Sequence, residues 1–136
     1  MEKSCGFIAY KTIENVNYYL LIMSINGDIG FPKGHVEAGE SEIQTAIREL
    51  KEETNIEVNP VPGFMREIQY KMPSRKNTIK HVVYFLGECI TNEIICQPEE
   101  ITDAGFFKYE DALRIITFED SRKLLLDAEE FIRSGN

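Results

Sequence analysis

Residues 34–56 read GHVEAGESEIQTAIRELKEETNI and decide how the first half of the chain folds. Apolar residues recur there with the i, i+3, i+4, i+7 spacing of an amphipathic helix: Ile43, Ala46, Ile47 and Leu50. Ser41 precedes them as a common N-cap residue, and Asn55 tolerates the left-handed backbone that closes many helices. Three glycines and a proline between residues 30 and 39 disfavour a long regular element before the helix. The stretch therefore predicts a loop and then a helix that ends at Thr54–Asn55.

The predicted helix concentrates acid on one flank. On a helical wheel four glutamates lie together beside the apolar stripe: Glu42, Glu49, Glu52 and Glu53. The other side carries Gln44, Arg48 and Lys51. Like charges three or four residues apart destabilise a helix by roughly 0.2–0.5 kcal/mol per pair, so we expect a positive group to offset them. Clustered carboxylates suit Mg²⁺ or Mn²⁺ better than zinc, and a solvated acidic face explains the helix alone equally well.

The residues ahead of the helix favour the metal interpretation. Phe31-Pro32-Lys33-Gly34-His35 places a cation, backbone-permissive residues and a titratable ring just before the carboxylates. A glycine lets main-chain N–H groups approach phosphate oxygens, and Lys33 can neutralise an anion beside a metal ion. Gly34 and Gly39 can equally serve turn formation alone. An anionic substrate, a lysine and a carboxylate-held metal together describe phosphoryl-transfer chemistry.

These residues resemble the Nudix box, the signature of hydrolases acting on nucleoside diphosphates linked to another moiety. The resemblance runs from Gly34 through Glu40 to the continuous segment 48–56, which reads RELKEETNI. It covers every charged and aliphatic position of the pattern and departs from it at Asn55, where the family usually has Gly. Asn is the next-best residue for a left-handed position, so the departure is mild.

The resemblance implies the Nudix fold, an α+β architecture in which a mixed sheet lies between helices as an α/β/α sandwich. It implies that Glu49, Glu52 and Glu53 carry Mg²⁺ or Mn²⁺, and that Glu40 pairs with Arg48 to support the loop. A further metal ligand often comes from an acidic loop beyond the box. Here the candidates are Glu99 and Glu100, of which Glu100 aligns better. An exposed acidic turn is the plain alternative for both.

Similarity extends to one subgroup, the asymmetrically cleaving diadenosine tetraphosphate hydrolases. Short motifs from residue 4 to the last helix carry it, among them residues 32–37 (PKGHVE) and 63–67 (GFMRE). The subgroup implies four substrate-binding residues: Lys33, His35 and Lys80 on the polyphosphate, and Tyr70 stacked on an adenine. Tyr70 can equally be an ordinary strand aromatic, and Lys80 a solvated strand-end cation. The basic loop 73–77 departs from the subgroup in length, which leaves the phosphate contacts open.

The resulting prediction is a metal-dependent hydrolase that converts diadenosine tetraphosphate to ATP and AMP. The catalytic candidates are Glu53 or Glu49 as the general base, with Lys33 stabilising the leaving phosphate. Three alternatives stay open. They are another Nudix substrate, such as an oxidised nucleoside triphosphate or an RNA 5′ end, a non-catalytic nucleotide sensor, and an interaction protein that docks through its acidic helix.

Composition bounds the partners. The chain has 136 residues and a net charge of −8, so we expect one domain over residues 1–136 and no nucleic-acid scaffold. No apolar run is long enough to span a bilayer, and the first residues lack a secretory signal profile. Three cysteines without C-x-x-C spacing indicate reduced thiols. We therefore expect a cytoplasmic protein with a small nucleotide substrate, no membrane partner, and a monomeric or weakly dimeric state.

The rest of the chain predicts strands and two more helices. Residues 5–10 and 18–25 read as strands around a turn at 14–17, residues 64–72 as another strand, and residues 105–108 as a short one. The apolar run in residues 80–89 suits a central strand buried on both faces. Residues 110–116 and 119–133 read as helices.

Overall fold

The computed structural model describes residues 2–71, 78–97, 99 and 101–135. Within them the chain forms seven strands and three helices. The strands are β1 (Glu2–Ile13), β2 (Val16–Ser24), β3 (Ile29–Gly30), β4 (Lys33–His35), β5 (Val58–Lys71), β6 (Ile79–Cys89) and β7 (Ile101–Lys108). The helices are α1 (Glu42–Thr54), α2 (Tyr109–Ile115) and α3 (Glu119–Arg133).

One mixed sheet organises these elements. Its main path runs β3-β2-β1-β6-β5, while β4 pairs with β1 and β7 pairs with β2. The β1–β6 pairing is parallel, and the β1–β2, β1–β4 and β5–β6 pairings are antiparallel. Because β1 pairs with both β4 and β6, it brings the loop before α1 and the start of β6 to the same end of the sheet.

Helices cover both faces of the sheet. Ala46 and Leu50 of α1 pack with Phe7 and Val83 on one face. The helices α2 and α3 contribute a second cluster on the other face: Ala112, Leu124, Leu125 and Ala128. Alternate residues along β1 and β6 feed the two clusters, which is the period-two pattern of a strand buried on both faces. The α+β sandwich predicted from the sequence is confirmed.

The bounds of α1 follow from its two caps. The Ser41 side chain accepts a hydrogen bond from the Gln44 backbone N–H, and the Gln44 side chain accepts one from Ser41 N–H in return. At the other end Asn55 adopts φ 68° and donates its backbone N–H to Lys51 O. Both ends of α1 confirm the sequence-based prediction.

Three predictions about local structure are wrong. Strand β7 begins at Ile101, four residues before the short strand expected at 105–108. Strand β5 begins at Val58 rather than at residue 64, because the chain continues through Pro60, Pro62 and Gly63 with an irregularity in its pairing to β6. A proline is compatible with an edge strand, and β5 lies at the edge of the main path. Ile47 was expected on the buried stripe of α1 but is 46% exposed.

Three further expectations concern the whole chain. No helix in the described ranges has the length and apolarity needed to cross a membrane. The three cysteines are free thiols, as expected. A single domain over residues 1–136 stays a prediction.

Candidate functional site

Arg48 is the centre of an ionic network on one flank of α1. Its guanidinium donates from Nε to Glu40 Oε2 at 2.6 Å, and from Nη1 to Glu49 Oε2 at 2.8 Å and to Glu52 Oε1 at 3.0 Å. The wheel placed Arg48 on the other side from the glutamates, and this is wrong, because Glu52 lies four residues further along α1 and therefore one turn from Arg48 on the same side. Part of the positive charge expected to offset the acidic flank therefore comes from within the helix.

Arg48 also ties α1 to the preceding loop. Its Nη2 donates to His35 O at 2.9 Å and to Glu40 Oε1 at 3.0 Å. Glu40 further accepts from the Glu37 backbone N–H at 3.0 Å and from Thr45 Oγ1 at 2.8 Å. The hydrogen bonds from Arg48, with those from Glu37 and Thr45, lower the Glu40 pKa from 4.5 to about 2. The expected Glu40–Arg48 pair is confirmed, and it fixes the loop against the helix.

Gly34 makes room for a carboxylate. A Cβ atom at this position would overlap the Glu49 carboxylate group. Gly34 lies in β4 opposite Cys5 of β1, so its backbone is held by the sheet. The residue was expected to admit a phosphate or to form a turn. Gly34 lies in a strand rather than in a turn, and its approach to a phosphate stays a prediction; it also leaves room for Glu49, which the sequence alone did not indicate.

Glu53 and Lys33 approach each other at the end of the sheet. Glu53 is a buried carboxyl residue, only 5% exposed. Burial lowers the pKa of Lys33, the nearby Lys80 ammonium lowers it further, and the Glu53 and Glu49 carboxylates act in the opposite direction. Lys80, Glu53 and Glu49 therefore each lie within electrostatic range of the Lys33 ammonium group.

Strand pairing explains how residues so distant in sequence meet. Lys33 in β4 pairs with Gly6 of β1, and Lys80 in β6 pairs with Glu2 of the same strand. A Cβ atom at Gly6 would overlap Pro32 O, so glycine allows the chain before β4 to approach β1 closely. The central strand thus holds the two lysines on its two sides.

The other predicted site residues lie in β4, β5 and α1 or outside the described residues. His35 ends β4, exposed, with its carbonyl bound to Arg48. Tyr70 lies in β5 opposite Lys80, and Glu52 is exposed on the outer side of the Arg48 network. Glu100 and the basic loop 73–77 lie outside the described residues.

The donor chemistry fits a hard divalent cation. Three carboxylates from one helix, Glu49, Glu52 and Glu53, are ligands that Mg²⁺ and Mn²⁺ prefer, and two of them already share the Arg48 cation. Among the described residues, no three acidic, histidine or cysteine side chains are gathered as a metal site requires. Instead Glu49 and Glu52 meet the guanidinium. The predicted ligand set of Glu49, Glu52, Glu53 and Glu100 stays a prediction.

Comparisons with known proteins relate the whole chain to one family. The NUDIX domain model matches residues 13–128. The asymmetrical bis(5′-nucleosyl)-tetraphosphatase of Rattus norvegicus is 28% identical over 97% of this chain and 96% of its own length. A C. elegans Ap4A hydrolase crystallised as a binary complex superposes with a TM-score of 0.88 at 26% identity, covering 98% of this chain and 99% of that one. The NAD-capped RNA hydrolase NudC of Mannheimia succiniciproducens is 38% identical over 57% of this chain, but over only 27% of its own length.

Proposed function

The chain belongs to the NUDIX family and is a Nudix pyrophosphohydrolase, and from that premise we propose that it cleaves diadenosine tetraphosphate into ATP and AMP with a divalent cation. The likeness to tetraphosphatases supports this substrate because it spans nearly the full length of both chains. Substrate choice in a shared fold depends on the site rather than on the architecture. The choice of substrate therefore has to be argued from the residues of the site.

The observation that carries the proposal is that β1 holds the strands of Lys33 and Lys80 on its two sides, where Lys80 and Glu53 both act on the pKa of Lys33. Two neighbouring ammonium groups repel each other, and an anion that contacts both relieves this repulsion. A polyphosphate chain carries several negative charges and satisfies both lysines at once. The neighbouring carboxylate of Glu53 repels the same anion. The lysines are therefore the proposed contacts of the phosphates, and the carboxylates are the proposed contacts of the cation.

In the proposed reaction Lys33 and Lys80 bind the phosphates and neutralise the charge that develops on the leaving group. Glu53 is the proposed general base and accepts a proton from the attacking water, with Glu49 as the second candidate. Arg48 and Glu40 hold the loop that carries Lys33 and His35 in register with α1. The loop residues Lys33 and His35 orient the substrate. Burial of Glu53 limits the contact of its carboxylate with bulk water.

Glu49, Glu52, Glu53 and, outside the described residues, Glu100 are the proposed ligands of Mg²⁺ or Mn²⁺. When bound, such a cation supplies a Lewis acid that eases the deprotonation of water and shields phosphate oxygens. Chelation by EDTA should therefore abolish turnover, and readdition of Mg²⁺ should restore it.

Product analysis tests the substrate assignment. The purified chain is incubated with diadenosine tetraphosphate and Mg²⁺, and the nucleotides are separated by chromatography. ATP and AMP in equal amounts are expected. Two ADP molecules per substrate, or no product at all, would contradict the assignment.

Two lysine variants test the phosphate contacts. Lys33→Ala and Lys80→Ala should each lower kcat/KM by about 10²-fold, because a charge-assisted contact to phosphate is lost. Lys123→Ala, which removes an exposed lysine on α3, is the matched control and should leave kcat/KM unchanged. Equal values for all three variants would remove the lysine pair from the site.

A second candidate rests on the similarity to the NAD-capped RNA hydrolase. The matched segment covers about half of this chain, and the net charge of −8 gives little attraction for an RNA backbone. NAD-capped RNA is therefore included in the substrate panel. Faster release of nicotinamide mononucleotide from it than of ATP from diadenosine tetraphosphate would favour this second function.

A further inference from the structure

Ser4 carries a buried hydroxyl group that has no hydrogen-bond partner in the described part of the chain. The residue is 0% exposed, and its Oγ atom neither donates to nor accepts from any described group. Most buried polar side chains in proteins are hydrogen-bonded, because an unsatisfied buried hydroxyl lowers stability. The position of Ser4 in the sheet indicates what could satisfy it.

The strand register fixes the face on which the Ser4 side chain lies. Ser4 pairs with His35 of β4 on one side of β1 and with Val82 of β6 on the other. The next residue, Cys5, packs into the cluster beneath α1, so the alternation along a strand places Ser4 on the opposite face. Ile8, four residues further along β1, lies on that opposite face in the cluster with α2 and α3. The Ser4 hydroxyl is therefore on the face of the sheet that α1 does not cover.

The two lysines of the proposed phosphate site flank Ser4 on this face. Lys80 pairs with Glu2 and Lys33 pairs with Gly6, and these partners lie two positions before and two positions after Ser4. Residues two positions apart along a strand share a face and are about 7 Å apart. A Cβ atom at Gly6 would lie 2.8 Å from Lys33 Cβ, so the Lys33 side chain starts on the same face as Ser4. Ser4 thus lies midway along β1 between the positions of the two lysines.

We propose that the Ser4 hydroxyl is a third phosphate contact, which donates its O–H to an oxygen of the anion bound by Lys33 and Lys80. The inference rests on the proposed function, because it takes the polyphosphate to lie between the two lysines. A hydrogen bond to an ionised acceptor is roughly twice as strong as one between neutral groups. Lysine side chains are long and flexible, so an anion that draws both ammonium groups towards itself reaches the hydroxyl between them. Phosphate then supplies the acceptor that residues 2–71, 78–97, 99 and 101–135 do not provide.

Isothermal titration calorimetry with inorganic tripolyphosphate in EDTA tests this contact separately from hydrolysis. Ser4→Ala and Ser4→Cys should each weaken binding by about five- to tenfold, since alanine has no donor and a thiol is a weak one. Ser4→Cys leaves no cavity, so it separates a lost hydrogen bond from a packing defect. Cys5→Ala removes one buried atom on the other face of β1, and this matched control should bind like the unmodified chain.

Thermal unfolding without phosphate provides a second readout. Ser4→Ala should leave the Tm unchanged or higher, because the hydroxyl that it removes has no partner among the described groups. A lower Tm with unchanged binding would mean that the hydroxyl is structural, and this result overturns the proposal. So does equal weakening of binding in Cys5→Ala.

The lysine variants distinguish failure of this inference from failure of the proposed function. Binding that Lys33→Ala weakens, but that both Ser4 variants leave intact, overturns the Ser4 contact alone. Absence of tripolyphosphate binding to the unmodified chain, or binding that Lys33→Ala and Lys80→Ala leave unchanged, overturns the lysine pair and Ser4 together. Binding that depends on Ser4 in a chain that does not cleave diadenosine tetraphosphate supports the contact and overturns the substrate assignment.

Discussion

Two arginine–glutamate networks in this molecule differ in charge balance. On α1, Arg48 faces four carboxylates: it donates hydrogen bonds to Glu40, Glu49 and Glu52, and Glu37 lies 3.7 Å away. One positive charge is set against four negative ones. The flank therefore carries a surplus of negative charge even after its internal ion pairs have formed.

On α3, Glu129 faces enough donors to satisfy it. The carboxylate is 7% exposed and accepts from Tyr19 OH at 2.7 Å, Asn17 Nδ2 at 3.1 Å and Arg133 Nε at 2.5 Å. Burial acts to raise the pKa of Glu129, but the bonds from Tyr19, Asn17 and Arg133 outweigh it and the pKa is lowered. One negative charge meets one positive charge and two neutral donors.

We interpret the difference as that between a structural network and the proposed functional one. A buried carboxylate whose donors are complete joins α3 to the β1–β2 hairpin and needs no ligand. The α1 flank carries more carboxylates than Arg48 can neutralise, and these are the proposed ligands of a further cation. This distinction predicts that a substitution in the α1 network lowers kcat, whereas a substitution in the α3 network lowers the free energy of unfolding.

The largest expected effect is on turnover. Glu53→Gln should lower kcat by about 10³-fold, since it removes the proposed general base and one metal ligand. Thermal unfolding should stay cooperative, which separates the loss of activity from a failure to fold. Full activity in this variant would remove the carboxylate flank from the mechanism.

The matched change in the other network should affect stability instead. Glu129→Ala leaves Tyr19 and Asn17 without their acceptor, and it should reduce the free energy of unfolding in urea by about 3 kcal/mol. The kcat per folded molecule should stay unchanged. Glu130→Ala, at the exposed neighbouring position, is the control and should change stability by less than about 0.5 kcal/mol. An equal effect of both variants would mean that the Glu129 network contributes little.

A smaller effect is expected from the glycine beneath Glu49. Gly34→Ala places a Cβ atom on the Glu49 carboxylate and should lower kcat by roughly ten- to a hundredfold by displacing it. Gly30→Ala is the control, since no atom lies within 4 Å of a Cβ atom at that position. If both alanine variants keep full activity, the position of Glu49 is not critical.

The smallest effect is a pH dependence of stability. The pKa of Glu40 falls from 4.5 to about 2 on folding, so the unfolded chain binds a proton more readily. The stability that Glu40 contributes is fully present above pH 4.5 and is lost as the pH falls towards 2. The difference in unfolding free energy between the unmodified chain and Glu40→Gln should therefore shrink over that interval. A difference that is constant down to pH 2 would contradict the assigned pairing with Arg48.

Local sequence signals were enough to predict parts of the fold. The limits of α1 follow from Ser41 and Asn55, which act within a few residues of the elements they close. The central strand β6 follows from its apolar run. The start of β5 was misplaced because Pro60 and Gly63 are typical of turns, whereas an irregular edge strand accommodates both.

The networks show where sequence reasoning stops. The acidic flank of α1 lies in one short segment, so its charge surplus is readable in the sequence. The pairing of Arg48 with Glu52 follows from i, i+4 spacing and its pairing with Glu40 from the resemblance, whereas its hydrogen bond to the His35 carbonyl could not be read from the sequence. The Glu129 network could not be found at all, because Tyr19 and Asn17 are more than a hundred residues away along the chain.

Cation binding measures the contrast between the two networks directly. Mn²⁺ is titrated into the unmodified chain, Glu49→Gln/Glu52→Gln and Glu129→Gln, and free Mn²⁺ is followed by electron paramagnetic resonance. We expect the unmodified chain and Glu129→Gln to bind with the same affinity, and Glu49→Gln/Glu52→Gln to bind at least tenfold more weakly. Equal affinity in all three proteins, or no binding up to about 10 mM Mn²⁺, would contradict the assignment of the α1 flank as a cation site.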